Sequence, residues 1–124
     1  MDVRLTAIQQ LAKGWTDDLD TLPILKTSAR SDDSSYVRRE VLRQIAKGWT
    51  DEPGVFEFLC DRAINDPFKG EDLWLNPRWA AFQVIIERYG DHPQTLPLCK
   101  DRAENDPDEK VREFAKNKLA ELEK

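Results

Sequence analysis

Paired carboxylates are the residues of this chain best placed, by type and spacing, to do acid–base chemistry or to hold a divalent cation. Asp17-Asp18, Asp32-Asp33, Asp51-Glu52 and Asp108-Glu109 each set two carboxyls side by side. Their positions argue for a different duty. All four recur just ahead of helical patterns, where a carboxylate accepts orphan N–H groups and meets the positive end of the helix dipole. The alternating Asp-x-Asp-x-Asp of a calcium loop is missing. The one histidine, His92, follows Tyr89-Gly90-Asp91 and precedes Pro93, and reads as a solvated turn residue near a helix start. Phosphate-cradling Gly-x-x-x-x-Gly-Lys-[Ser/Thr] and Gly-x-Gly-x-x-Gly loops are absent, as is a Gly-x-Ser-x-Gly nucleophile elbow. The expectation is a non-enzymatic chain with no catalytic residue, no metal and no cofactor.

Composition narrows the class. A length of 124 residues suits one domain. Forty per cent hydrophobic residues supply a modest core, while 35% charged residues with a net charge of −5 describe an acidic chain rather than a basic nucleic-acid binder. No apolar run approaches the ~18 residues a membrane span needs, and Met1-Asp2-Val3-Arg4 does not open a signal peptide. The expected partner is a protein, not a nucleic acid or a membrane. Two cysteines are too few for a disulfide framework, which predicts a reducing, cytoplasmic setting. Cys99 aligns with Leu25 and Leu59 and reads as a buried small hydrophobe, whereas Cys60 aligns with Lys26 and Lys100 and reads as partly exposed. Mismatched registers argue against a bridge between them, which needs Cα atoms within about 7 Å.

Those alignments come from an internal repeat. Val3–Asp17, Val37–Asp51 and Pro77–Asp91 match one another, and Val111–Leu122 is a partial fourth copy. Val37 follows Val3 by 34 residues, Pro77 follows Val37 by 40, and Val111 follows Pro77 by 34, so the middle unit carries a six-residue insertion between Asp66 and Pro77. The intervening segments match as well: Thr21–Lys26 with Thr95–Lys100, and Asp61–Pro67 with Asp101–Pro107. Val37, Val41, Leu42, Ile45 and Ala46 form one face of a helix. Leu22, Leu25 and Ala29 mark a second, shorter helix type, with Pro23 and Pro97 in its first turn. Gly14 and Gly48 read as helix stops. Asp17, Asp51 and Asp91, or alternatively Thr21 and Thr95, are rival caps for the helix that follows. Seven helices are expected, near 3–12, 19–30, 36–47, 54–64, 78–89, 94–104 and 109–122, with no sheet. A two-helix unit cannot cover its own apolar face, so neighbouring units must stack. The units run over 1–17 (partial), 18–50, 51–90 and 91–124.

An Asp in the turn followed by Val-Arg at the next helix recurs as Asp32 with Val37-Arg38 and Asp106 with Val111-Arg112, and Asp66 pairs with Arg78 across the insertion. This pattern resembles HEAT repeats over the whole chain. The resemblance implies an all-α, right-handed α-α superhelix and a structural ladder of Asp32, Arg38, Asp66, Arg78, Asp106 and Arg112 between neighbouring units. Pro77 departs from the pattern by replacing the Val. The wording Gly-Trp-x-Asp-Asp, Thr-Leu-Pro-x-Leu-Lys and Asp-Arg-Ala-x-Asn-Asp-Pro is similar to cyanobacterial HEAT arrays that follow NACHT-type NTPase modules. That similarity implies the regulatory or sensor end of a larger signalling protein. A chain that opens halfway through a unit also reads as a fragment of a longer one. A more distant resemblance, to HEAT-like subunits of phycobilin lyases, implies instead a role assisting an enzyme.

In such a scaffold the second helix of each pair lines the inner face, and its exposed stripe follows from register. The stripe reads Leu5, Gln9, Lys13; Arg39, Arg43, Lys47; Trp79, Gln83, Glu87; and Glu113, Asn117, Glu121, running from basic to acidic. Beside it run Thr6, Gln10; Glu40, Gln44; Ala80, Val84; and Phe114, Lys118. An aromatic flanked by arginines has the composition of an interaction hot spot. The candidate partner-binding residues are therefore Arg39, Arg43, Trp79 and Gln83. Trp74 joins them from the insertion Phe68–Asn76, whose Phe68, Leu73, Trp74 and Leu75 need either a core to cover or a partner to meet. Trp15, Trp49 and Tyr89 form one repeat column, expected to pack between units.

Overall fold

A computed structural model of the chain describes residues 6, 7, 9, 10, 14 and 21–123. Six α-helices are described: α1 (Thr21–Ser31), α2 (Ser35–Gly48), α3 (Val55–Asn65), α4 (Pro77–Arg88), α5 (Thr95–Asn105) and α6 (Glu109–Leu122). A short 3-10 turn, Leu73–Leu75, precedes α4, and no strand occurs among the described residues. Thr6, Ala7, Gln9, Gln10 and Gly14 are helical. The remainder of the helix expected near 3–12, together with Trp15 and Asp17-Asp18, lies outside the described residues.

Short polar side chains set where the longer helices begin. The Ser34 hydroxyl accepts the Val37 N–H at 3.4 Å, Asn76 Oδ1 accepts the Arg78 N–H at 2.9 Å, and Asp108 Oδ1 accepts the Lys110 N–H at 2.7 Å. Pro77 sits at the first position of α4, where its missing N–H costs nothing. The shorter helices stop at Asp66 and Asp106, both extended, because the following Pro67 and Pro107 disfavour helical backbone before them. Several start and stop assignments differ from expectation. Asp51-Glu52 lies in the turn, and α3 is capped by Gly54 at φ 89°, a left-handed conformation that glycine adopts without strain. Gly48 is the last helical residue of α2 rather than a left-handed stop after it, and Trp49 caps the end through its N–H to the Ile45 carbonyl. Thr21 and Thr95 are the first residues of α1 and α5, and the cap of α5 is Gln94 rather than Asp91 or Thr95.

The helices pack as sequential pairs: α1 on α2, α3 on α4, and α5 on α6, with α2 also lying along α4. Val37, Val41, Leu42 and Ile45 of α2 meet Ala81, Phe82 and Ile85 of α4 in one core and are fully buried. Each large side chain so buried contributes about 1.5–3 kcal/mol. Leu25, Leu59 and Cys99, which share a repeat position, are all fully buried. Cys60 is half-buried, and neither cysteine is bridged. Of the aromatic column, Trp49 is buried, and Tyr89 reaches the preceding pair, its hydroxyl donating to the Thr50 carbonyl at 2.6 Å while its ring stands edge-on to Phe56 at 5.1 Å.

Candidate protein-interaction surface

Three arginines at equivalent positions tie the turns to the helices that carry the surface. Arg38 donates through Nη1 to the Asp32 carbonyl at 2.8 Å, Arg78 to the Asp66 carbonyl at 2.8 Å, and Arg112 to the Asp106 carbonyl at 2.7 Å. The first two also reach 28 residues ahead in sequence to the next turn. Arg38 Nε and Nη2 lie 2.8 and 3.2 Å from the Asp66 carboxylate, and Arg78 Nε and Nη2 lie 3.2 and 3.4 Å from that of Asp106. Each turn carboxylate also folds its own loop: Asp32, Asp66 and Asp106 accept the N–H groups of Ser34, Phe68 and Asp108 at 2.8, 3.0 and 2.9 Å. Asp66 and Asp106 are buried, and so are Arg38, Arg78 and Arg102, the last of which lies 3.2 Å from Asp106 through Nη1. Bidentate charge-assisted bonds in that setting hold successive helix pairs in one register.

On this frame α2, α4 and α6 carry the predicted stripe. Lys47 and Glu87 are exposed, as are Glu113, Asn117 and Glu121, whereas Arg43 and Gln83 are half-buried. The Arg43 side chain keeps 37% of its surface, with Nη1 3.8 Å from Glu40. Gln83 lies between α2 and α4 in a groove of about 340 Å³ that it shares with Arg43, Lys47, Glu87 and Arg88.

Trp79 departs from its predicted exposure. It is only 4% exposed, because the 3-10 turn lays Trp74 edge-on against it at 5.0 Å and α6 brings Phe114 to 5.7 Å on another side. Ala80 and Val84, also expected on the exposed flank, are buried as well. Arg39 is half-buried rather than free for a partner. Its guanidinium stacks 4.9 Å from the Tyr36 ring and donates to the Trp74 carbonyl and to Glu40. Trp74 itself is 63% exposed, although its N–H donates to Asp72 Oδ1 at 2.9 Å and its ring leans on Trp79. The insertion thus covers Trp79 and presents Trp74 at the same time.

Register alone did not bring Tyr36 or Arg88 forward as contacts. Tyr36, 42% exposed, stands one turn before Arg39 on α2, and that spacing was the available signal. His92 is not merely solvated. It is half-buried, stacks on Phe56 with ring centroids 3.7 Å apart, and accepts the Gln94 N–H through Nδ1 at 3.1 Å.

Chemistry at the ionisable groups follows burial. Burial pushes the Cys60 and Cys99 thiols up to about 11, with Glu57 adding to the first and Glu123 to the second. Burial likewise raises the Tyr89 phenol, and Asp51 adds to it. None of these groups is held as a reactive anion near neutral pH. Among the described residues no cluster of His, Cys, Asp or Glu could hold a metal ion, and no helix is long and apolar enough to cross a membrane. No protein-family model, curated protein or solved structure matches this chain.

Proposed function

We propose that the chain is a HEAT-type helical-repeat scaffold that acts by binding a protein along the surface of α2, α4 and α6, without catalysis of its own. The repeated helix pairs and the arginine–aspartate bonds 28 residues apart support the repeat reading. Trp74 carries the functional one. Its backbone N–H and carbonyl are both bonded and its indole leans on the Trp79 ring, so a side chain 63% exposed starts from an anchored backbone and gains a large buried area on binding. A sensing role at the end of a larger signalling NTPase is the setting that the repeat style suggests.

Photo-crosslinking tests the reading. A benzophenone amino acid at Gln83 is expected to give a discrete protein adduct in cells expressing the full chain. The same group at Glu104, exposed on α5, is expected to give none. Equal adducts from both positions, or none from Gln83, would refute a dedicated binding surface.

A further inference from the structure

The surface carries two dissimilar features on one line. At one end Tyr36, Trp74 and Leu75 are exposed apolar side chains. Arg39 joins the first two, stacking on the Tyr36 ring and bonding the Trp74 carbonyl. At the other end, the groove between α2 and α4 sets Arg43, Lys47 and Arg88 against the single carboxylate of Glu87. This excess of positive charge stands out in a chain whose net charge is −5. Among the described residues no carboxylate pairs with Lys47 or Arg88, and the one beside Arg43, Glu40 at 3.8 Å, is already engaged by Arg39.

We propose that this surface takes an acidic peptide segment with an apolar anchor, the anchor on Trp74 and Tyr36 and the carboxylates on Arg43, Lys47 and Arg88. The inference rests on the interaction reading above and names the chemistry of its partner. Arg39, Arg43 and Lys47 occupy successive turns of one helix face, so the anchor patch and the far end of the groove lie about 12 Å apart. An extended peptide crosses that distance in roughly four residues. The motif is therefore a bulky apolar residue, a short spacer and a cluster of Asp or Glu.

A phosphate backbone fits less well, because it would meet Glu40 and Glu87 inside the same strip.

The test uses the full chain and a fluorescein-labelled peptide of two leucines, a Gly-Ser spacer of roughly four residues and a run of glutamates. Fluorescence anisotropy is expected to report saturable binding that weakens as salt is raised. Arg43→Glu with Lys47→Glu, or lysines in place of the peptide glutamates, is expected to weaken binding about tenfold or more. Trp74→Ala is expected to weaken it roughly ten- to thirtyfold. The helical circular dichroism of all variants should match the parent, since these side chains are outside the core. Absence of binding, indifference to either charge exchange, or tighter binding of an oligothymidylate than of the peptide would overturn the proposal. If the peptide fails while the Gln83 crosslink persists, only the acidic-anchor chemistry is lost; if both fail, the interaction reading is lost with it.

Discussion

Asp66→Ala isolates the bond network that joins one helix pair to the next. The change removes acceptors for Arg38 Nε at 2.8 Å, Arg38 Nη2 at 3.2 Å and the Phe68 N–H at 3.0 Å. It leaves the Arg38 side chain, 9% exposed, with the Asp32 carbonyl as its remaining partner. Removing one member of a buried ion pair costs about 3–5 kcal/mol, chiefly because the other charge stays buried without its counter-ion. A chain of this length has roughly 6–18 kcal/mol of total stability, so the variant should sit near the edge of folding. The midpoint of thermal unfolding should fall by about 10–20 °C. Urea titration followed by far-ultraviolet circular dichroism measures the loss. Arg38→Met combined with Asp66→Ala should lose less than Asp66→Ala alone, since no orphan cation is left behind. Glu113→Ala is the control: its partner Lys116 is 3.9 Å away, both side chains are more than half exposed, and the cost should stay below about 0.5 kcal/mol. An Asp66→Ala loss no larger than that of Glu113→Ala would refute the claim that the buried bonds set the register of the stack.

Acid should act through two carboxylates. Burial is the largest single influence on Asp61 and raises it, but hydrogen bonds from Asn65 and Arg62, with the charges of Arg62 and Arg30, together outweigh it and hold the group below its ordinary 3.8; bonds from Arg102 and Asn105 do the same for Asp101. Their stabilisation is complete above the ordinary carboxylate value and is lost as pH falls below 3.8 through the folded values. Asp61→Asn with Asp101→Asn should flatten that acid limb by under about 1 kcal/mol per site after solvent screening, as read from urea midpoints between neutral and acid pH. An unchanged acid limb would contradict the assignment. With both thiols up at about 11, iodoacetamide at neutral pH should modify half-buried Cys60 slowly and fully buried Cys99 only as the chain unfolds, as peptide mass spectra will show. Equal, rapid labelling of the two would contradict the packing of Cys99 against the Ala115 carbonyl. Trp79→Ala should cost about 3–5 kcal/mol in a urea titration, whereas Trp74→Ala should cost under about 1 kcal/mol and reduce the acrylamide-quenched part of the fluorescence.

The helices were legible because the repeat supplied several readings of the same pattern. On α2 the expected face of Val37, Val41, Leu42, Ile45 and Ala46 is the buried face, and the alignment of Leu25, Leu59 and Cys99 located one buried position three times. Caps were less legible because several short polar residues competed at each turn. Asp51 and Glu52 had the chemistry of a cap, but Gly54 had the backbone freedom the turn required, and geometry prevailed. Asp108 had both the chemistry and the position.

Periodicity states which residues share a helix face; it does not state what lies over that face. Arg39, Trp79 and Glu113 are equivalent by register, yet the first is half-buried, the second buried and the third exposed. The difference comes from neighbours. α4 lies between α2 and the ring of Phe114 on α6, and the 3-10 turn of its own insertion closes over Trp79. Among the described residues α6 has no such cover over Glu113, whose carboxylate pairs with Lys116 on the same helix. The six inserted residues therefore move the exposed indole from the helix to the loop, where Asp72 and Arg39 bond the Trp74 backbone and the Trp79 ring meets its indole. An irregular insertion in an otherwise regular stack must satisfy its own backbone and cover its own apolar residues before it can offer anything to a partner. Phe68 and Leu73 are half-buried by that requirement, while Trp74 and Leu75 remain outside it. Trp74, at 63%, is consequently the most exposed large hydrophobic among the described residues, and an external partner supplies a physical reason for it.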